Sequence, residues 1–285
     1  MTALETNYPE PDEEVTVALV EQLLRDAGHY RSLEQWQWVR SGSSSLVIIA
    51  GNAAVRVARD VESATEVQRA QRVVDALPPL TFAVPRSLAP ARSLAGVTAI
   101  AVERVAGEPH PAEPADPRTL RSLLDEIHDI PLDSLRPHLA PARAFFGGAD
   151  WYDVMQQRVI PALPESVRQI ARRRTDALAT LETPKLALNH TDLGGTNIHW
   201  SAGRVVGVLD WDLACEEDPA EDLAALANWH GWELAEQLAD ADTVRRAAVF
   251  RDLFPMMIVA FALLRNRPEH EVQRTVERAS HKLMR

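Results

Sequence analysis

His190, Asp192 and Asn197 stand in "NHTDLGGTN", residues 189–197, and Asp210 stands in "VLDWD", residues 208–212. A carboxylate at Asp192 can aim the O–H of an alcohol at a phosphorus atom and accept its proton as the new bond forms, with no need of a raised pKa. The charge of a triphosphate calls for a divalent cation, and Mg²⁺ selects oxygen ligands in tight octahedral geometry. Asn197 offers an amide oxygen, and Asp210, eighteen residues beyond Asp192, offers a carboxylate from the next loop. The pattern H-x-D-x-x-x-x-N, followed by a further Asp after a short hairpin, points to phosphoryl transfer onto a hydroxyl. His190 reads as the residue that fixes the loop through backbone hydrogen bonds. Asp212 reads as ordering the second loop or assisting the metal.

Such loops need strands behind them. "KLAL", "IHW" and "VVGVLD" read as brief strands, with "SAGR" turning between the last two. Upstream, residues 12–27 carry the apolar spacing of an amphipathic helix stopped by Gly28. "WQWVR", "SLVIIA" and "AAVRVA" follow as β-rich runs, the last two joined by "GN", a hairpin signal. Residues 62–77 return to helical spacing, and 97–105 form another strand. In this lobe Ser43 and Ser44 of "SGSSS" could cover phosphates with N–H and hydroxyl groups. Arg56 could hold the α- and β-phosphates, and Glu66 on the next helix could pin that cation. The backbone of "VERV", with Glu103 and Val105, could face an adenine edge. The Pro-rich "AGEPHPAEPADP" breaks regular structure and sets a boundary, giving lobes 1–106 and 107–285. Beyond it the spacing predicts helices over about 117–129, 150–182, 219–239, 243–265 and 268–284.

Residues 210–222 hold seven carboxylates and no Lys or Arg. Asp218, before a proline, reads as a helix N-cap, and Asp222 as a first-turn carboxylate that suits the helix dipole. Glu216, Glu217 and Glu221 read either as a surface for an amine-bearing acceptor or as a solvated acidic loop. Trp229 and Trp232 of "NWHGW" read either as lining an acceptor pocket or as packing. His128 reads as a satisfied core histidine, and Cys215 as a small buried side chain. Of the alternating His199 and Trp200, one is expected to be buried.

The 285 residues carry a net charge of −11, which argues against a nucleic-acid partner and is compatible with a cationic substrate. The longest apolar run, "MMIVAFALL", is far short of the ~20 residues of a membrane span. A single cysteine and an acidic start with no cationic–apolar leader point to the cytoplasm.

"HTDLGGTN" followed by "VLDWDLACEEDPAEDLA" resembles the aminoglycoside phosphotransferase (choline kinase-like) family, most specifically over 190–222. The resemblance implies an α+β, bilobal, protein-kinase-like fold: a small N-terminal antiparallel β-sheet lobe that binds nucleotide, and a larger, mainly helical lobe. It implies ATP, sometimes GTP, with Mg²⁺, and transfer to a small-molecule hydroxyl. Carried over, Asp192 is the catalytic base, Asn197 and Asp210 are metal ligands, and Arg56 takes the usual nucleotide-lysine position, a departure because a planar fork is not a compact ammonium. Aminoglycosides lead as acceptors, with macrolides or a metabolite alcohol as competitors. The alternative is a non-catalytic nucleotide- or drug-binding protein on the same scaffold.

Overall fold

Aspartates open four of the helices. The carboxylates of Asp12, Asp60, Asp116 and Asp240 accept the backbone N–H of Val15, Ser63, Thr119 and Thr243, satisfying donors that the first helical turn leaves unpaired. The computed structural model describes residues 8–284. The start of the chain, read above as acidic and leaderless, lies partly outside the described residues.

One compact unit comprises the described residues up to Pro109 together with Thr196–Asp212. It contains α1 (Glu13–Asp26), β1 (Gln37–Val39), β2 (Ser45–Ala50), β3 (Ala53–Ala58), α2 (Val61–Ala76), β4 (Arg92–Leu94), β5 (Val97–Glu103) and β6 (Glu108–Pro109). The first five strands form an antiparallel sheet in the order β1-β2-β3-β5-β4. Its core joins Leu19, Leu23 and Leu24 of α1 to Leu46, Ile48, Val55 and Val57. The alternation that buries Val55 and Val57 leaves Arg56 on the other face, opposite Val47 and Ile100. The Pro-rich stretch is not wholly irregular: β6 pairs with β8 (Ile198–Ser201), which pairs with β9 (Arg204–Val208). Gly207 lets β9 come close to Val105, because a Cβ there would lie 1.9 Å from the Val105 Cγ1.

The other unit takes His110–Gly195 with Leu213 onward, so the hairpin 196–212 groups with the sheet-bearing unit. It holds α3 (Pro117–His128), α4 (Trp151–Val154), α5 (Ile160–Ala162), α6 (Glu165–Ala179), β7 (Ala187–Asn189), β10 (Cys215–Glu217), α7 (Ala220–His230), α8 (Ala235–Leu238), α9 (Ala241–Leu264) and α10 (Glu269–Leu283). The helix expected over 150–182 is broken. A π-helical turn, Met155–Val159, precedes Pro161, and the chain extends at Leu163 and Pro164 before α6. The helix expected over 219–239 is cut at Gly231, which takes a φ of 105°. α9 reaches the length and apolar composition of a membrane span, a threshold the run-length reading put out of reach. Here α6, α7 and α10 pack around it, and Phe250, Leu253, Met256 and Val259 are buried.

Candidate active site

The H-x-D loop leaves β7 and turns at Thr191, whose φ is 67°. A β-branched residue in the left-handed region costs about 1–3 kcal/mol, so something must hold it there. The Asp222 carboxylate, fully buried on α7, accepts the N–H of Thr191 at 2.7 Å and that of His190 at 3.0 Å. His128 of α3 meets the same carboxylate at 3.2 Å. Asp222 thus does more than suit a helix dipole, and His128, half-buried and not in the core, has a specific partner in that carboxylate. His190 is fully buried, and its Nδ1 accepts a long hydrogen bond, 3.3 Å, from the Asp192 N–H. The outcome is an exposed Asp192 on a buried footing.

Gly194 and Gly195 follow in the same loop. A Cβ on Gly195 would sit 3.7 Å from the Trp229 ring. Trp229 is half-buried and donates its indole N–H to the His110 carbonyl at 3.1 Å. The ring therefore lies against the loop that carries Asp192. Trp232 is placed differently, with the Arg251 guanidinium over its face at 4.0 Å.

In the sheet-bearing unit, Ile198 pairs with Val208, and the Leu209 N–H donates to the Asn197 carbonyl at 2.8 Å. Asn197 and Asp210 therefore stand at the same end of one hairpin. Asp210 takes a φ of 59°. The Arg56 guanidinium donates to Asp212 Oδ2 at 2.6 Å, so its ion-pair partner is Asp212 and not Glu66. Burial opposes the Arg56 charge, and the carboxylates of Asp212 and Asp210 more than offset that, holding its pKa above the ordinary value. Glu66 sits half-buried on α2, one turn before Arg69, which donates to the Asp212 carbonyl at 2.5 Å. Asp212 Oδ1 is buried with no hydrogen-bond partner.

A divalent cation suits this donor set. Three oxygen-bearing side chains sit around the hairpin end, and an orphaned buried carboxylate oxygen is costly unless a proton or metal satisfies it.

Ser43 and Ser44 lie in the bend between β1 and β2. Arg59 braces that bend: its guanidinium, in a residue 7% exposed, donates to the carbonyls of Arg40 (2.7 Å), Gly42 (2.9 Å) and Pro9 (2.9 Å). The sequence reading missed Arg59, although its place just past β3, where a surface cation would be ordinary, was the only signal. The Glu103 N–H is committed to the Arg86 carbonyl at 2.8 Å, and Val105 is buried against Gly207.

The acidic run is less open than it reads. Glu216 is clasped by Arg136 through two contacts of 3.0 Å, which hold its carboxyl below the usual range. Glu217 is 5% exposed, faces Arg143 at 3.3 Å and accepts the Asp218 N–H, so it is a packing carboxylate and not a surface for an acceptor. Asp218 accepts the Ala220 N–H as a cap would, but its other oxygen pairs with Arg246 at 2.8 Å. Burial, with Glu217 and Asp222 nearby, pushes Glu221 well above the usual carboxylate range. Burial likewise pushes the Cys215 thiol up. Trp200 is the buried member of its pair, and His199 meets the Ala106 carbonyl at 3.1 Å.

An antiparallel sheet unit, and a mainly helical unit that carries an H-x-D loop, are the parts of a protein-kinase-like fold. The chain superposes on the GDP complex of an aminoglycoside 2'-phosphotransferase-IIIa with a TM-score of 0.78 and 15% identity, covering 96% of this chain and 99% of that one. A macrolide 2'-phosphotransferase of Brachybacterium faecium gives a TM-score of 0.70 at 19% identity, over 93% and 97%. At such identities the likeness speaks for the fold. The chain belongs to the phosphotransferase enzyme family, whose pattern matches residues 36–253. It is also 33% identical over 118 residues to a viomycin phosphotransferase of Streptomyces vinaceus, a match spanning 38% of this chain and 41% of that protein.

Proposed function

We propose that this chain transfers the γ-phosphate of ATP to a hydroxyl of a small cationic antibiotic, an aminoglycoside or a viomycin-type compound. The observation that carries the reading is the Asp222-anchored turn at Thr191, which spends backbone strain to present the exposed carboxylate of Asp192. In this role Asp192 orients the acceptor O–H and takes its proton. Asn197 and Asp210 would hold Mg²⁺, with Asp212 Oδ1 as a further donor. The metal, when bound, neutralises charge on the phosphate oxygens. Arg56 uses one of its five N–H donors on Asp212, and the remaining fork serves the phosphates. Ser43 and Ser44 cover the phosphates, and the backbone at Glu103 and Val105 meets the base. Trp229 forms one wall for the acceptor.

Two observations support a cationic acceptor: the net charge of −11, and the relative that acts on viomycin. The solved neighbours include a kanamycin complex and a streptomycin–ATP complex of aminoglycoside phosphotransferases. Fold likeness to macrolide enzymes keeps a macrolide as the second arm of the test.

The test is an ADP-release screen with ATP and Mg²⁺ against aminoglycosides, viomycin and macrolides. Turnover is expected with one of the cationic arms. Asp192→Ala should lower kcat by about 10²–10⁴-fold while nucleotide binding persists. Near-normal turnover in that variant would remove Asp192 from its role.

A further inference from the structure

Carboxylates crowd the place where β10 runs into α7. Glu217, Asp218, Glu221 and Asp222 are all buried there, none more than 5% exposed. A buried carboxylate needs a partner. Asp218 has Arg246 at 2.8 Å, and Asp222 has His128 together with the two N–H groups of the H-x-D loop. For Glu217 and Glu221 the cation is Arg143. It lies 3.3 Å from Glu217 Oε2, and it offsets part of the repulsion that Glu217, Asp222 and Asp218 exert on Glu221.

Arg143 is held to this task by its backbone. It takes a φ of 63°, in the left-handed region that non-glycine residues seldom adopt. Its carbonyl accepts the N–H of Phe146 at 3.1 Å and of Gly148 at 2.8 Å. Three residues earlier, the Ala140 N–H donates to the carbonyl of Ala214, the residue before β10, at 2.8 Å. The guanidinium lies over the Trp151 ring, 4.8 Å from its centroid, and its Nε is buried with no hydrogen-bond partner.

From Glu217 to the H-x-D turn the path is a few hydrogen bonds. Glu217 Oε1 accepts the Asp218 N–H at 3.0 Å, and the Glu217 carbonyl accepts the side-chain amide of Asn189 at 2.8 Å. Asn189 ends β7, immediately before His190. Asp218 accepts the Ala220 N–H where α7 opens, and α7 carries Asp222, the anchor of Thr191.

We propose that Arg143 is a positioning residue for Asp192: its charge compensates the buried Glu217 and Glu221, and so fixes the end of β10 and the start of α7, which together hold the H-x-D turn. The effect on turnover rests on the role given to Asp192 above; the effect on the turn does not. Without Arg143, an ionised Glu217 turns toward water and gives up the Asp218 N–H, whereas a protonated one can stay. The disturbance therefore grows with pH. The other titratable groups around Glu217 are Glu221, Asp218 and Asp222, the latter two with partners of their own, and Cys215 on the same strand, whose thiol is pushed up by burial and stays neutral.

The test compares Arg143→Met, which keeps an apolar stem over Trp151, with the double variant Arg143→Met/Glu217→Gln. Hydrogen exchange is read by mass spectrometry on the full chain without ligands, in the peptide covering 187–195. It should be about tenfold faster than wild type in Arg143→Met and within about threefold of wild type in the double variant, where no uncompensated charge is left. At about pH 8, Arg143→Met should lower kcat by about tenfold and leave the KM for ATP within about threefold. That kcat defect should shrink toward none at about pH 5.5, and the double variant should show little defect at either pH. A loss of packing alone would be neither pH-dependent nor repaired by changing a second buried side chain. If Arg143→Met is insoluble, a soluble double variant that exchanges like wild type still bears the proposal out, and a double variant equally insoluble overturns it. Wild-type exchange in Arg143→Met, equal acceleration in both variants, or a kcat defect of the same size at every pH also overturns it. Each of these leaves the phosphotransferase reading intact. The expected exchange pattern in a wild-type protein that transfers phosphate to no acceptor would count against that reading instead.

Discussion

The residue types proposed for the chemistry could be picked out in the sequence because phosphoryl transfer would call for them: a carboxylate for a proton, an amide and a carboxylate for a metal. What fixes them in place could not, because the partners come from distant elements. Asp222 and His128 are 94 positions apart and meet only in the folded unit. The anchoring makes a prediction: Asp222→Asn keeps an oxygen acceptor but loses the charge that strengthens both N–H bonds. The Thr191 turn should relax, and a small misplacement of Asp192 is enough to lower kcat by about 10²-fold. The KM for ATP should stay within about threefold; a nucleotide defect as large as the kcat defect would show that Asp222 acts elsewhere. Glu217 was misread for an instructive reason. Cys215 was expected to be buried, and strand alternation then places Glu217 inside with it and Glu216 outside, as observed. Glu221 gives a pH prediction. Burial and the neighbouring carboxylates oppose its ionisation in the fold, and it ionises sooner in the unfolded chain, so stability is present at acidic pH and lost as pH rises toward the raised pKa. Glu221→Gln should remove that slope, with a Tm above wild type at about pH 8 and a gap that closes near pH 5. Equal slopes in thermal melts of the two proteins would contradict this.

At the scale of elements, long periodic segments were readable and short ones were not. The spacing found α1, α2, α3, α9 and α10 to within a few residues, and the "GN" hairpin is the turn between β2 and β3. β4 is three exposed residues, with no apolar alternation to reveal it. The break before α6 stands at Pro161 and Pro164, inside the span 150–182 that was read as helical throughout. The bend at 41–44 shows how an element can be held from outside itself. Arg59 ties three carbonyls from Pro9, Arg40 and Gly42 into one fork. Arg59→Met keeps the stem and leaves those carbonyls without their charged donor, a loss of about 3 kcal/mol. The expected result is a lower Tm and weaker ATP binding by calorimetry, since Ser43 and Ser44 lose their support. Arg59→Lys, with a compact ammonium in place of the fork, should recover only part of either. A variant with lowered Tm and unchanged ATP affinity would separate the bend from the nucleotide.

At the scale of the whole molecule, composition says little about fold and something about encounter. Forty-one acidic side chains against thirty basic ones leave a net −11, a field felt by any charged ligand within a Debye length, about 10 Å at 0.1 M salt. The two proposed substrates carry opposite signs. A polycationic acceptor is drawn in by this field, and salt should cut its kcat/KM, by about tenfold between 20 and 500 mM NaCl. The nucleotide is an anion approaching an acidic protein. Its steady-state kcat/KM should therefore hold or rise over the same range, with local cations such as Arg56 tempering the gain. Opposed salt responses for two substrates of one enzyme cannot arise from a general loss of stability, which would lower both together. Steady-state kinetics across the salt series, with the other substrate saturating, gives the comparison directly. An acceptor kcat/KM that stays flat would mean that the acceptor is not recognised through its charge, and would turn the search to the macrolide arm.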